Sequence, residues 1–489
     1  MSTTLGMGIE SEKPLEPAHS CPQGIALAEE GRAEEAAQCF EDYLRHRPDD
    51  AAAWNDAGVV LFSLGRNGDA VACLERAREL IADDPEICRN LVRAYLAAGQ
   101  YERTKQCLAD LEQSGRLEDV WIEETARSIW TGGNPAGAME SVLLGIQFFP
   151  DSGILLRLAE TIRNSRPGVA FFCGGDGPTF LRQIEAFVRL RFPVRIFEGN
   201  TIPEVHQLMN HSDISWFEWC TELAEIGSRH AARCKKIIRL HRYEAYLDWP
   251  KRVNWDSVDV LITVGNRFVR EALLEQQPNL ASRIRMETIP NGVDLDRIRF
   301  QRRKRGKRLA FIGDTRMVKN PMLLLQCMDE LHHCDSDYHL HIAGKIQDKS
   351  LDQYLRHMVR SLGLGNVVHF DGWQEDIPAW LADKHYIVCT SVIESQGMGI
   401  LEAMAAGLKP VIHDFPGAQD TFGSEWLFRT PREFRNRIES TDYFPQQYRA
   451  FVERKYSLVR QLDRVGGVLT ELESRIRRDS TREYGGSVR

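Results

Sequence analysis

Apolar positions between residues 23 and 165 recur at helical spacing, and that recurrence itself repeats. Gly31, Gly65, Gly99 and Gly133 stand 34 residues apart. Ala36, Ala70 and Ala138 share one offset, with Thr104 in the third copy, and Phe40, Leu74, Leu108 and Val142 share another. Glycine suits a turn between paired helices because positive φ costs it little. The small residue lets neighbouring helices approach, and the large apolar one fills the groove beside it. Pro48, Pro85 and Pro150 punctuate helix boundaries. The pattern predicts roughly three to four helix–turn–helix repeats over 23–150, with a capping helix near 151–165.

Beyond residue 168 the texture changes to short β-branched runs separated by helical stretches. VAFFC (169–173), VRIFEG (194–199), ISWFEW (214–219), KIIRLH (236–241), VDVLITV (258–264) and RMETIP (285–290) form one series. RLAFIG (308–313), HLHIAG (339–344), VVHFDG (367–372), HYIVCTS (385–391) and KPVIHDF (409–415) form a second. Strands alternating with helices predict doubly wound parallel sheets, here two Rossmann-like lobes in tandem. The expected plan is a flexible leader (1–22), a helical repeat domain (23–165), a first lobe (166–300) and a second (301–443). A helical segment (444–475) and a disordered tail (476–489) follow. The polar stretch 294–307 reads as the linker between lobes.

Composition narrows the function classes. A chain of 489 residues is too long for one core. A net charge of -8 argues against a general nucleic-acid binder. Eleven cysteines without a CxxC pair fit reduced thiols rather than a disulfide scaffold or a zinc site. The N-terminus lacks the basic and apolar regions of a signal peptide, and no run of about 18 apolar residues occurs, so a cytoplasmic location is expected. RRKRGKR (302–308), six basic residues in seven, reads as a solvated linker. The other reading is peripheral contact with an anionic membrane surface at its inner face, or with an acidic acceptor.

Tandem Rossmann-like lobes take a ligand in the cleft at the carboxyl ends of their strands. One loop expected there, SVIESQGMGILEAMAAGLKPVI (391–412), runs from a strand through glycines into a helix. Glu394 and Glu402, eight residues apart, would stand at most about 12 Å from each other if the interval were helical. Gly397, Met398 and Gly399 leave the helix N-terminus open to phosphate groups, which its free N–H groups favour. DLD (294–296) and DSD (335–337) do not follow strands as a metal-binding D-x-D should, so no metal is expected.

This loop resembles the E-x7-E signature of family-4 retaining glycosyltransferases of the GT-B fold, matched by Glu394, Gly397, Glu402, Ala403, Met404, Ala405, Gly407, Pro410 and Val411. IPNGVD (289–294) resembles the motif preceding the family's second lobe, and FIGDTRMVKNP (311–321) its Gly-Arg…Lys loop. The 34-residue period resembles the tetratricopeptide repeat. The resemblance implies a nucleotide diphosphate sugar as co-substrate and no other cofactor. Glu402 would hold the ribose, Glu394 the transferred sugar, and Lys319 the diphosphate, with His241 beside the sugar. Asp314 stands where the family has an arginine, and Arg316 is the residue that could replace it. The loop CGGDG, with Gly174 and Gly175, would face donor and acceptor, and Glu218 or Trp219 the acceptor side.

The expected activity is sugar transfer to a protein or glycan acceptor, such as a bacterial surface protein or a growing surface polysaccharide. The repeats would bind the acceptor or a partner protein. The competing reading is a non-catalytic scaffold built on a degenerate transferase domain. A dinucleotide-dependent oxidoreductase is excluded, because no strand leads into G-x-G-x-x-G.

Overall fold

A computed structural model describes residues 21–82, 84–175 and 177–485 and divides them into two compact units meeting at Arg166–Pro167. Of the expected leader, residues 1–20 lie outside the described residues, and the first helix begins at Pro22.

The first unit is a row of helix pairs. Pro22–Glu29 with Ala33–His46, Ala51–Ser63 with Asn67–Leu80, Pro85–Ala97 with Tyr101–Gln113, and Asp119–Thr131 with Pro135–Phe148 are followed by Gly153–Asn164. Gly31, Gly65, Gly99 and Gly133 close the turns of the four pairs at φ of +78°, +74°, +69° and +87°. Ala36, Ala70, Thr104 and Ala138 are wholly buried, and Phe40, Leu74, Leu108 and Val142 fill the space beside them. The spacing read from the sequence is thus the spacing of the core.

The second unit holds two six-stranded sheets, parallel throughout. The first comprises β1 (Val169–Cys173), β2 (Val194–Ile196), β3 (Ile214–Glu218), β4 (Lys235–Leu240), β5 (Val260–Thr263) and β6 (Arg285–Thr288), in the order β2-β1-β3-β4-β5-β6. The second comprises β7 (Arg308–Ile312), β8 (His339–Ala343), β9 (Val368–Gly372), β10 (Tyr386–Cys389), β11 (Lys409–His413) and β12 (Leu427–Phe428), in the order β12-β11-β10-β7-β8-β9. Parallel strands are buried on both faces, which is why β1, β3 and β5 read as largely apolar runs rather than alternating ones. All eleven expected strands form; β12, two residues long, carries too little pattern to be seen in sequence.

The C-terminal end departs from expectation. The helix Leu458–Gly485 returns to the first lobe, where Val465, Val468, Leu469 and Leu472 pack with Phe171, Ile237 and Ile262. It therefore belongs to the first sheet's core, and it runs into the stretch expected to be disordered from residue 476. The chain crosses between lobes at two adjacent points. Val293 N–H donates to Tyr456 O at 2.7 Å and Leu458 N–H to Val293 O at 2.9 Å. A Cβ on Gly292 would lie 2.3 Å from the Leu458 Cα, so only glycine admits this approach.

Three of the six cations in the basic run are bonded within their own lobe. Arg303 donates to the carbonyls of Ala382, Lys384 and Ala406, Lys307 bridges Asp335 and Asp337, and Arg308 pairs with Asp383. These bonds fasten the entry of β7 to its own lobe.

Two glycines of one helix pair should respond oppositely to alanine. Gly65 sits at φ +74° with no heavy atom within 4 Å of an added Cβ, so Gly65→Ala should destabilise the repeat unit by about 1–2 kcal/mol through backbone strain alone. Gly68, helical and equally unobstructed, should gain up to about 1 kcal/mol on replacement by alanine. Urea unfolding followed by circular dichroism checks the two signs.

Candidate functional site

The carboxyl edges of both sheets bound one cavity of about 380 Å³. In the second lobe it opens between β7 and β10, the neighbours at which strand order reverses, where parallel sheets leave room for a ligand. Ile312 and Gly313 end β7 there, and Ser391 follows β10. A tight turn, Met317–Lys319, then brings Lys319 back over Gly313, whose added Cβ would meet the lysine Cε at 3.3 Å. The turn is pinned to the exit of β10, since Thr390 Oγ1 donates to Lys319 O at 2.8 Å and Val392 N–H to Val318 O at 2.9 Å.

Lys319 Nζ is bonded to Glu394 Oε1, which also accepts from Ser391 Oγ at 2.7 Å. Both side chains line the cavity. Gly397, at φ +74°, turns the chain into the helix Met398–Ala405, which starts without a side-chain cap. Its first N–H groups therefore lack the usual side-chain acceptor. Gly399 lets this helix lie on β7, because an added Cβ would reach Ile312 Cγ2 at 3.0 Å. Gly397, Met398 and Gly399 all line the cavity.

The first lobe contributes Phe180, Trp219, His241, Arg242 and Tyr243. Trp219, directly after β3, takes a left-handed φ of +75°, a conformation bulky residues seldom hold without surrounding support. That support comes from a bond of its N–H to Arg239 O at 3.0 Å and of its Nε1 to Gly177 O at 3.1 Å. Its ring lies 3.9 Å from that of His241, centroid to centroid.

Behind this wall the Glu218 and Arg239 side chains are wholly buried. Glu218 Oε1 accepts from Arg239 Nη1 at 2.6 Å and lies 2.8 Å from His241 Nε2, while Trp216 Nε1 donates to Oε2 at 3.0 Å. Burial alone would raise the Glu218 carboxyl, but the Arg239 guanidinium, with His241 and Trp216, carries it below the ordinary carboxylate value. Arg239 Nη2 continues to Asn291 Oδ1. Asn291 then pairs twice with Gln396, its N–H donating to Oε1 at 2.8 Å and its C=O accepting from Nε2 at 2.6 Å.

Four of the expected residues stand elsewhere. Arg316 is exposed and faces Asp314 at 3.6 Å, while Asp314 also accepts from Gln347 Nε2, so this arginine points away from the cavity. Glu402, half-buried on the helix that opens at Gly397, does not line the cavity either. Burial raises its carboxyl above the ordinary value, against a smaller opposing pull from Arg297. Gly174 lies beside Thr221 and Leu223, and neither it nor Gly175 lines the cavity. Glu218 is behind the wall and Trp219 on it. Arg242 was missed, its only signal being its place next to His241. The acidic triplets are occupied otherwise: Asp335 and Asp337 share Lys307, and Asp294 accepts from the N–H of Asp296.

Residues 294–428 match the family of group 1 glycosyl transferases, and residues 21–85 and 61–121 match tetratricopeptide repeat families. A GDP-mannose:cellobiosyl-diphosphopolyprenol alpha-mannosyltransferase of Xanthomonas campestris is 29% identical over 135 residues, 27% of this chain and 35% of that protein. The same-named protein of Xanthomonas oryzae matches equally, so the chain spans about a third of the length of these relatives. Among solved structures, HepE of Anabaena in complex with UDP superposes with a TM-score of 0.54 at 16% identity, over 62% of this chain and all of HepE. A glycosyltransferase from Rickettsia africae superposes with a TM-score of 0.52 at 13% identity, over 63% of this chain and 99% of that one. The two lobes have the GT-B fold of these neighbours.

Glu402 gives a stability prediction with a definite sign. Its folded-state value lies above the unfolded one, so the folded protein loses stability as pH rises between the two. Glu402→Gln should therefore unfold at higher denaturant than the parent at about pH 7.5, with the gain shrinking towards about pH 4. Paired denaturation curves at the two pH values check this. A gain that is equal at both, or larger in acid, would count against it.

Proposed function

We propose that this chain, which carries a group 1 glycosyl transferase domain of GT-B fold together with tetratricopeptide repeats, moves a sugar from a nucleotide diphosphate donor to a protein or glycan acceptor with retention of configuration. The observation that carries the reading is the single cavity in which Lys319, Glu394, the uncapped start of Met398–Ala405 and His241 come together.

The chemistry needed is stabilisation of two developing charges. As the bond from the sugar to the diphosphate breaks, negative charge gathers on the departing phosphate and positive character on the sugar. Lys319, Arg242 and the free N–H groups of the helix start offer the anion its partners without a metal ion. The carboxylate of Glu394 lies on the lysine's side of the cavity and, by the family resemblance, serves the transferred sugar. Glu402 serves the nucleotide ribose by the same resemblance. His241 reaches the cavity from the opposite lobe, where the sugar would meet its acceptor. The repeat unit suits a protein ligand, an acceptor or a partner that delivers one, because such stacks present extended curved surfaces. Among the described residues no helix is long and apolar enough to cross a membrane. The cations of 303–308 that bond within their own lobe give no support to a membrane-contact role.

Calorimetry with a panel of UDP-, GDP-, ADP- and CMP-sugars tests the reading. One donor should bind saturably, and Lys319→Ala and Glu402→Ala should each weaken it at least tenfold, about 1.4 kcal/mol. If the parent protein binds none of them, the transferase reading fails and the scaffold reading, with the repeats as the functional half, takes its place.

A further inference from the structure

His241 is held from behind by Glu218 and Arg239, which do not line the cavity, and their link continues to Asn291 and Gln396, which do. Glu218 and Arg239 have no exposed side-chain surface, and Asn291 and Gln396 are buried to within a few per cent. An ionised carboxylate can only accept hydrogen bonds. The 2.8 Å contact with Glu218 Oε1 therefore requires the hydrogen of the imidazole to sit on Nε2. In the neutral ring that leaves Nδ1 as the acceptor. The same carboxylate oxygen takes Arg239 Nη1, whose other arm reaches Asn291 at the crossing between lobes. Asn291 is locked by two bonds to Gln396, the residue before the glycine that opens the helix Met398–Ala405.

We propose that Glu218 is the positioning residue for His241, and that the buried chain Glu218–Arg239–Asn291–Gln396 ties the orientation of this imidazole to the donor-side glycine turn of the second lobe. The inference rests on the reading that His241 serves the transferred sugar. Its structural content is independent of which sugar that is. A histidine fixed in this way meets the donor in one tautomer and one ring orientation, and it does so only while the two lobes are joined through Asn291 and Gln396.

Among the described residues, the other groups against His241 make different contacts with it. Glu244 accepts from its backbone N–H at 3.1 Å, Arg242 follows it in the chain, and Phe180 and Trp219 flank the ring. Lys319 and Glu394 belong to the opposite wall of the cavity and are bonded to each other.

The test is carried out on the full chain with isotope-labelled histidine, His241→Asn serving to assign the signal. In the parent protein without donor, the imidazole of His241 should show the Nε2–H tautomer. In Glu218→Gln, its apparent pKa should fall by about one unit or more as the anionic neighbour is removed. With whichever donor of the panel binds, kcat should drop at least about tenfold while the donor KM stays within about threefold, the mark of a group acting in the transition state. Gln396→Met keeps the volume but cuts the link to Asn291, and it should shift the His241 signal although it touches no part of the ring. It also serves as the second reading should Glu218→Gln fail to fold. An unchanged His241 signal and titration in the folded variants, or a loss that falls on KM alone, would overturn the proposal. The spectra need no donor, so a protein that binds none of the panel would sink the transferase reading and leave the positioning claim still decided.

Discussion

At the carboxyl edge of the first sheet a carboxylate and a guanidinium, Glu218 and Arg239, have been taken wholly out of water. Removing two such charges from solvent costs several kcal/mol each, and their attraction at 2.6 Å repays this only if their other hydrogen-bonding positions are filled. They are largely filled: Trp216 and His241 complete the carboxylate, and Asn291 takes the second arm of the guanidinium. Two apolar residues of the same volume would serve the core as well or better. What such residues could not do is hold a histidine and the inter-lobe crossing in one register. The pair makes more sense as a device for specificity than for stability.

The crossing itself depends on that register. Two segments of chain pass between the lobes side by side, joined by backbone bonds of 2.7 and 2.9 Å at Val293. Gln461 Oε1 accepts from the Gly292 N–H at 2.7 Å, so the helix that returns to the first lobe also grips the outgoing strand. Asn266, capping its own helix in the first lobe, reaches the carbonyl of Glu394 at 3.1 Å. The loop leading into the helix Met398–Ala405 is therefore held from the first lobe at Asn266 and at Asn291, on either side of Ser395. Cavity and crossing are consequently one construction rather than a site laid on a hinge.

The legible parts of the sequence were those governed by local period. The 34-residue recurrence gave the repeats because every copy needs the same turn and the same small residue against its neighbour. The parallel strands were legible because burial on both faces leaves continuous apolar runs. Glu394 and Gly397–Gly399 came from a motif in which strand, glycine turn and helix start are contiguous, and Lys319 from the family resemblance of a second stretch, 311–321. Glu218, Arg239 and Gln396 could not be joined in that way. They meet only after β3, β4 and the loop following β10 have been brought together, and nothing local distinguishes the buried Arg239 from any arginine in a strand. The returning helix was hidden for the same reason, since its apolar stripe gives a face but not the sheet that face will cover.

Charge was the least reliable guide, and the cause is instructive. A cation signals a ligand only when the fold leaves it without a carboxylate or carbonyl of its own. Lys307 and Arg308 have aspartates, Arg303 has three carbonyls, and Arg316 has Asp314. Lys319 also has a carboxylate, but that carboxylate is itself on the cavity wall, so the pair is a part of the site and not a reason to discount it. With Lys319 balanced by Glu394 and Arg239 by Glu218, Arg242 is the cavity-lining cation for which no ion pair occurs among the described residues. Beside the Lys319–Glu394 pair, this arginine and the uncapped start of the helix Met398–Ala405 line the cavity. Backbone N–H groups at a helix start are fixed in direction, so they favour an anion whose oxygens lie along them.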